Sequence, residues 1–504
     1  MSRLAGGARR AFGEGLHPFF LAGIVLLGGL LRFATLGDQS FRYDESVTVL
    51  RIIQPDLFDT IGAVPGSESS PPLYYALAWL WSLPFGTGEV AIRSLSALFG
   101  TAAIAVVYLA SVSLGLSRRS GLVAALLVAV SPVLIWFSQD ARVYSLVFLL
   151  AALGLWLFAR ALRAPTPGRL VLWAVVSGLA MMTHYFAGFL VLAEAILLLA
   201  LVGNRKWTVI SIGVAGLFVL AVAPVGIEQA TNAHASWIGD QPRIERIERS
   251  VAQAIGQDTG DAHGSRPAWR IPLAIPILIS LAGLAMLVLL GNRRERRAAG
   301  LAAIIGATGI GIPLLVGLVG TDYFNGRNSV AALAPLIVLL GAGFGVERAR
   351  WFGPAAGCLL AAFALAFSID VFRQERLQRE DFRGIAKEVG APPREGALVT
   401  IRYASNVPLM YYLDLCKARA KTLPLREIAL VGSAEAARRN ARRILPGQFR
   451  ETGSRAVSYN YTATIWKAPR PVPVPLVLLE RGALVGSGAN SAVLLRPGDP
   501  GCRP

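Results

Sequence analysis

Charge is scarce in this chain. Only 16% of its 504 residues are Asp, Glu, Lys or Arg and 54% are hydrophobic, whereas a soluble domain carries about a quarter charged residues. That shortage excludes an ordinary soluble enzyme. Disorder is excluded as well, because so much apolar surface must be buried in protein or lipid. Cysteine is scarcer still, and three residues cannot build a disulfide framework; with Cys358 inside an apolar run, Cys416 and Cys502 are the pair open to bridging. No Walker loop, GxGxxG turn, CxxC pair or HExxH helix occurs. Nucleotide energy and redox chemistry therefore find no support.

What the chain does have is long apolar runs punctuated by arginine. Lysine and arginine number 49 against 31 acids, a formal charge of +18, which taken alone would suggest nucleic acid. Placement argues otherwise, since the charges cluster between apolar stretches of about 16 to 25 residues, the length that crosses a hydrocarbon core of roughly 30 Å. Crossings are expected near 17–36, 91–115, 121–137, 143–163, 170–186, 187–202, 207–229, 271–291, 299–319, 329–346 and 352–372. The sequence reads as a mainly α, polytopic membrane protein that does not bind nucleic acid.

Orientation follows from the basic clusters. Arg9/Arg10, Arg118/Arg119, Arg160/Arg163/Arg169, Arg205/Lys206, Arg293/Arg294/Arg296/Arg297 and Arg348/Arg350 all belong on the cytoplasmic side by the positive-inside rule. They fall on one side only if a single crossing separates residue 37 from residue 117. The shorter run Pro71–Trp81, dense in Tyr and Trp, is then juxtamembrane rather than spanning. Eleven crossings place the N-terminus inside and the C-terminus outside, with 37–90 as the first outer loop. The first run follows basic residues but no small-residue cleavage site follows Leu36, so it reads as a retained anchor.

Residues 1–372 form the transmembrane domain in this reading, and 373–504 form an extracytoplasmic α+β domain. Hydropathy drops at Arg373, Ala397–Ile401 reads as a strand and Ala434–Ile444 as a basic helix. This tail holds 22 basic and 11 acidic residues. Its surplus faces anionic lipid or a polyanionic acceptor, or is simply a solvated surface. Pro471–Pro475, alternating Pro and Val, reads as a stiff extended linker.

Ionisable groups beside a membrane are costly, so those at the outer ends of the spans are the first candidates for function. In Arg42-Tyr43-Asp44-Glu45-Ser46, two adjacent carboxylates can divide labour, one taking a proton and one holding a cation or a second donor; the alternative is a solvated turn. Ser69-Ser70-Pro71-Pro72-Leu73-Tyr74-Tyr75 sets an extended approach into an aromatic helix, which also suits a plain interfacial anchor. Arg93, with Ser94 and Ser96, can fork onto a phosphate or snorkel to lipid headgroups. Ser138-Gln139-Asp140-Ala141-Arg142-Val143-Tyr144 is a compact polar hairpin in which Asp140 and Arg142 can also neutralise each other. Thr183-His184-Tyr185 lies between two short spans, and Arg327 lies in the polar stretch Asp322–Asn328. A lone histidine is more often a structural donor than a metal ligand.

Taken in order, Tyr43-Asp44-Glu45-Ser46, Pro71-Pro72-Leu73-Tyr74-Tyr75, Arg93-Ser94-x-Ser96, Ser138-Gln139-x-Ala141-Arg142-x-Tyr144 and Thr183-His184-Tyr185 resemble the glycosyltransferase family 39-like proteins of bacteria. These belong to the protein O-mannosyltransferase and aminoarabinose transferase superfamily. The resemblance covers the first 200 or so residues, the later spans by topology, and Asp381-Phe382-Arg383 loosely. It implies a GT-C fold and a membrane enzyme that moves a sugar from a polyprenyl phosphate to a hydroxyl on the external face. The acceptor would be a protein or an envelope glycan or lipid.

The resemblance also implies roles for single residues. Asp44 would be the general base, and Glu45 would orient the acceptor or hold a divalent cation. Arg93, Arg142 and Arg327 would stabilise the departing phosphate. Tyr43, Tyr74, Tyr75, Gln139, Tyr144 and Tyr185 would line the substrate pocket. Relatives carry His or Lys directly before the Pro-Pro pair where this chain has Ser70, which leaves His184 and Glu68 as the metal candidates and no cofactor clearly required. A transporter or flippase of lipid-linked sugars is the competing reading. It should show polar groups near the bilayer midplane and paired broken helices.

Overall fold

The computed structural model describes residues 17–232, 238–259, 273–320, 322–458, 461–486 and 490–502. Arg9, Arg10 and the first two residues of the 271–291 run lie outside the described residues. The chain divides into two compact units, one formed by Met1–Leu36 with Ile52–Arg373 and the other by Gly37–Arg51 with Gln374–Pro504.

The first unit is helical. Its helices Glu89–Leu114, Tyr144–Arg163, Arg205–Asn232, Arg293–Val319 and Phe352–Arg373 are long and apolar enough to cross a membrane. The bent pair Arg118–Val130 and Pro132–Ser138 passes the same test, and shorter apolar helices cover His17–Phe33, Pro167–Met181, Ala187–Leu201, Ala274–Leu290 and Val330–Phe344. The protein is therefore a multi-pass membrane protein. Pro71–Trp81 contributes a separate helix, Leu73–Phe85. Helix Tyr144–Arg163 is the core, with 78% of its apolar window buried, whereas Arg205–Asn232 has 17% buried. The latter turns Leu217, Leu220 and Ile227 outward, which in a membrane is the face that meets lipid.

The 121–137 run, expected as one crossing, is broken. The two helices meet at 59° around Ser131, because Pro132 has no N–H to donate and biases the residue before it towards extended backbone. Such a break strands the carbonyls of Val128 and Ala129, which an unbroken helix would pair with the N–H groups of residues 132 and 133. Arg32, fully buried, replaces the lost donors: Nη2 donates to Val128 O (2.9 Å), Nη1 to Ala129 O and Gly28 O (2.9 Å each), and Nε to Ser138 Oγ (3.0 Å). Gly100 makes room for this knot, since a Cβ there would come within 3.0 Å of the Arg32 Nε and closer still to Ser138.

The second unit carries a six-stranded sheet. Its strands are β1 (Gly396–Ile401), β2 (Cys416–Lys417), β3 (Thr422–Gly432), β4 (Arg450–Ala456), β5 (Thr462–Pro475) and β6 (Ser491–Leu495), in the order β2-β6-β1-β3-β5-β4. β1 and β3 run parallel, and the remaining pairs are antiparallel. Both faces are covered, which is why β1 and β6 are buried almost throughout and mostly apolar. Ala397 and Val399 pack with Ala441 and Leu445 of the helix end on one face. Leu398 and Leu494 pack with Phe382, Ile385 and Leu409 on the other.

Pro471–Pro475 is strand rather than linker. It closes β5 and pairs with Thr422–Leu425 of β3. Strand β4 pairs only with Thr462–Lys467, so β5 has no β4 partner along its proline-rich end. Prolines are tolerated there because no ladder bond on that side needs their missing N–H. Cys416 and Cys502 are bridged across 86 residues, and Cys358 is an exposed free thiol on helix Phe352–Arg373. Replacing both bridged cysteines by serine should destabilise this unit by about 4 kcal/mol, the loop-closure entropy returned to the unfolded chain. Denaturant unfolding of the double variant, monitored at Trp466 fluorescence, would show the shift; an unchanged midpoint would contradict it.

Candidate functional site

In the first unit a polar cluster gathers side chains from four separate stretches. The turn at Glu68, where helix Leu57–Ser67 ends, meets the hairpin at Arg142. The Arg142 guanidinium forks onto the Glu68 carboxylate, Nη2 donating to Oε2 at 2.7 Å and Nη1 to Oε1. Both groups are buried, and a fork of this kind is the strongest geometry available to an arginine. Tyr75 lies beside the pair. Its hydroxyl is fully buried and has no hydrogen-bond partner among the described residues. Burial, opposed by the charge of Arg142, pushes its ionisation well above the usual phenol range.

Tyr144 stacks on Phe137 (4.4 Å between centroids) and approaches His184 at 6.4 Å. His184 occupies the turn between helices Pro167–Met181 and Ala187–Leu201. Its Nδ1 accepts the Phe186 N–H (3.2 Å), and its side chain also bonds Asn328. Burial first, then Arg327 and Arg142, lower it to about 4 in spite of Asn328. Arg327 thus stands close to His184, as Arg142 does. The imidazole is neutral at physiological pH.

A second chain of bonds ties the same turn to the Ser69–Pro72 segment. Tyr185 Oη donates to Gln229 Oε1 (2.8 Å) and Gln229 Nε2 donates to Ser70 O (2.9 Å), while Leu73 N donates to Met182 O (3.2 Å). The loop carrying Arg327 is clamped by Asp322. This carboxylate accepts from Arg246 Nη2 (2.7 Å) and Arg243 Nε (2.9 Å) of helix Arg243–Ala254. The Arg246 hydrogen bond above all holds it at about 2, so the clamp stays ionised wherever the protein is folded.

The remaining expected residues of this unit each have a hydrogen-bond partner. Arg93 is buried and does not snorkel; its Nη1 donates to Leu36 O at 3.0 Å. Gln139 Nε2 donates to Thr35 Oγ1 (2.7 Å) and to the carbonyls of Leu31 and Arg32 (3.2 Å each). Tyr74 Oη bonds Ser96 Oγ at 3.0 Å. A small crevice opens between Leu127, Ile255, Ile337 and Leu360, and none of the expected site residues lines it. The donor set does not fit a divalent cation. Glu68 spends both oxygens on Arg142, His184 Nδ1 is occupied, and no three His, Cys, Asp or Glu side chains converge among the described residues.

The acidic motif belongs to the second unit. Helix Tyr43–Val47 is a single turn in which Glu45 Oε2 accepts the Arg42 N–H (3.2 Å), closing the helix start. Glu45 is wholly buried and pairs with Arg379 Nη1 at 3.3 Å. Asp44 behaves differently. Its side chain is 27% exposed, with Arg42 Nη2 at 3.8 Å. Tyr43 meets Tyr403 edge to face at 6.2 Å. Sequence reading missed Arg32, Gln229 and Arg379. Arg32 carried a signal, an arginine within an apolar run; the other two owe their roles to partners remote in sequence.

Two measurements test these geometries. Glu68→Leu and Arg142→Met should each destabilise the folded protein by about 3 kcal/mol, while the double variant loses much less than the sum, because each single change strands a buried charge. Additive losses in a double-mutant cycle would show that the fork carries no coupling. His184 should impose a pH slope. Its folded value of about 4 lies below the ordinary 6.5, so the unfolded chain binds the extra proton between these values and stability falls as pH drops from 6.5 to 4, by on the order of 3 kcal/mol. Melting temperature in detergent would read the slope, which His184→Gln should flatten.

Residues 69–227 match the family described as dolichyl-phosphate-mannose-protein mannosyltransferase. No curated protein matches the whole sequence. Among solved structures, the oligosaccharyltransferase AglB from Archaeoglobus fulgidus, in complex with an inhibitory peptide and a dolichol-phosphate, is 15% identical with a TM-score of 0.48. The match covers 73% of this chain and 56% of that one, so this chain spans little more than half the archaeal protein. ArnT from Cupriavidus metallidurans, in the apo state, is 13% identical over 90% of this chain and 98% of its own, with a TM-score of 0.38. Arabinofuranosyltransferase AftD from mycobacteria is 16% identical over 89% of this chain and 41% of its own, with a TM-score of 0.45. Residues 69–227, which carry Tyr75, Arg142 and His184, are thus similar to the dolichyl-phosphate-mannose-protein mannosyltransferase family.

Proposed function

We propose that this protein is a GT-C membrane glycosyltransferase that moves a sugar from a polyprenyl-phosphate donor to a hydroxyl acceptor on the external face. The carrying observation is the family match over 69–227, which coincides with the buried polar cluster of the first unit. Eleven crossings, an internal N-terminus and an external second unit complete the reading. They put every basic cluster on the cytoplasmic side.

The chemistry is a single displacement. The acceptor O–H attacks the anomeric carbon, Asp44 takes its proton, and the bond from that carbon to the phosphate oxygen breaks. The electron pair leaves on polyprenyl phosphate, and the anomeric centre inverts. Asp44 suits a base because it is the accessible member of the acidic pair. Glu45, buried against Arg379, is assigned to holding the turn rather than to contacting the acceptor. Arg142, Arg327 and Arg93 supply the positive field for the leaving phosphate. Tyr75 supports this reading as a buried hydroxyl with no hydrogen-bond partner among the described residues. Tyr74, Gln139, Tyr144 and Tyr185 are assigned to the walls of the first unit's cluster, and Tyr43 to the turn that carries Asp44. No step is assigned to a metal.

Reconstituted enzyme with a polyprenyl-phosphate sugar and lipid and glycan acceptors tests the proposal. Asp44→Asn should lower the rate by about 10²- to 10⁴-fold, the contribution of a positioned base. In cells lacking the gene, the lipid-linked sugar should accumulate while a glycan disappears from the envelope. Restoration by the Asn variant would remove Asp44 from the mechanism, and a lipid-linked sugar that changes leaflet without transfer would favour a flippase.

A further inference from the structure

The acidic turn is held by residues that lie more than 300 positions further along the chain. Within the second unit, Arg379 N donates to Gln39 Oε1 (3.1 Å), Ser40 Oγ donates to Glu380 O (2.8 Å), and Phe382 N donates to Ser40 Oγ (2.8 Å). Phe41 N donates to Tyr412 Oη at 2.7 Å, and its ring meets Tyr411 edge to face at 5.2 Å. Arg383 Nη2 reaches the carbonyls of Gly37 (3.0 Å) and Asp38 (2.9 Å). At the centre Arg379, with a side chain only 2% exposed, pairs with the fully buried Glu45.

We propose that Arg379 is a positioning residue for Asp44, and that the segment 379–383 is the clamp that sets the conformation of the turn. The inference rests on the reading of Asp44 as base. The physical ground is that one Glu45 oxygen does two jobs. It accepts from Arg379 and from the Arg42 N–H that starts the helix. Without the guanidinium, the carboxylate is a buried charge that has lost a cation paired to it at 3.3 Å. It must then protonate or move towards water, and either change loosens the first turn in which Asp44 sits. Asp44 needs a fixed direction to take a proton in flight. A folded sheet domain is thereby a condition for a competent base, which gives the second unit a role that carbohydrate binding does not require.

The experiment uses the full chain in lipid nanodiscs with Arg379→Met, Arg379→Lys and Asp44→Asn. Hydrogen exchange read by mass spectrometry over residues 38–48 should rise at least tenfold in Arg379→Met and return part of the way in Arg379→Lys, while Leu398–Thr400 and Ala492–Leu494 in the sheet core stay protected. Transfer should slow about 100-fold in Arg379→Met, falling in kcat with KM for the lipid donor unchanged and with a displaced pH profile. Unchanged exchange in the acidic turn overturns the proposal. If Arg379→Met also loses core protection, Arg379→Lys and Glu45→Gln decide, and a turn as protected as wild type in both overturns it equally. Raised exchange combined with full activity of Asp44→Asn would leave the clamp standing and sink the catalytic reading instead.

Discussion

A buried guanidinium repairs a broken membrane helix, and it also holds the start of the hairpin that follows the break. In hydrocarbon every backbone carbonyl needs a partner inside the protein. The break before Pro132 strands the carbonyls of Val128 and Ala129, and Arg32 answers both. Its Nε also holds Ser138, the residue at which the polar hairpin begins. Arg142 and Tyr144 stand six residues or fewer beyond it. An arginine that touches no other expected site residue except Gln139, through its own carbonyl, thus fixes where the polar cluster starts.

The same economy governs the other charges. Glu68 with Arg142, Glu45 with Arg379 and Asp322 with Arg246 each join segments separated by more than 70 residues. Ion pairs of this burial add little net stability compared with apolar packing, and their value lies in direction and register. Here they set loops rather than cores. The Asp322 clamp orders the stretch that carries Arg327 and Asn328, and Asn328 in turn holds His184. A neutral imidazole near two arginines is a consequence of burial and of like charge.

Much of this was legible along the chain. Among the described residues the apolar runs fall mostly on helix, because long apolar stretches in a membrane have few other ways to satisfy their backbone. The strand at Ala397–Ile401, the basic helix at Ala434–Ile444 and the Cys416–Cys502 bridge are likewise as read. The proline run 471–475 was misread because the pattern of a linker and that of a half-open strand are identical until the neighbouring strand is seen to stop short. The break in 121–137 was announced by Ser131-Pro132, but hydropathy averages over a single proline.

Residue types and their local spacing were enough to establish a membrane protein, its apolar helices and the set of ionisable groups worth inspecting, since those properties depend on free energies of transfer and on neighbours within a few positions. The division of labour inside that set came only from the folded chain. Asp44 and Glu45 are adjacent and chemically alike, yet one is reachable by solvent and the other is sealed against Arg379. Arg93, Arg142 and Arg327 look interchangeable in sequence, yet one caps a carbonyl, one forks a carboxylate and one crowds a histidine. Partners so distant along the backbone meet only when helices and sheet have packed, and a side chain's charge, access and direction are properties of that meeting.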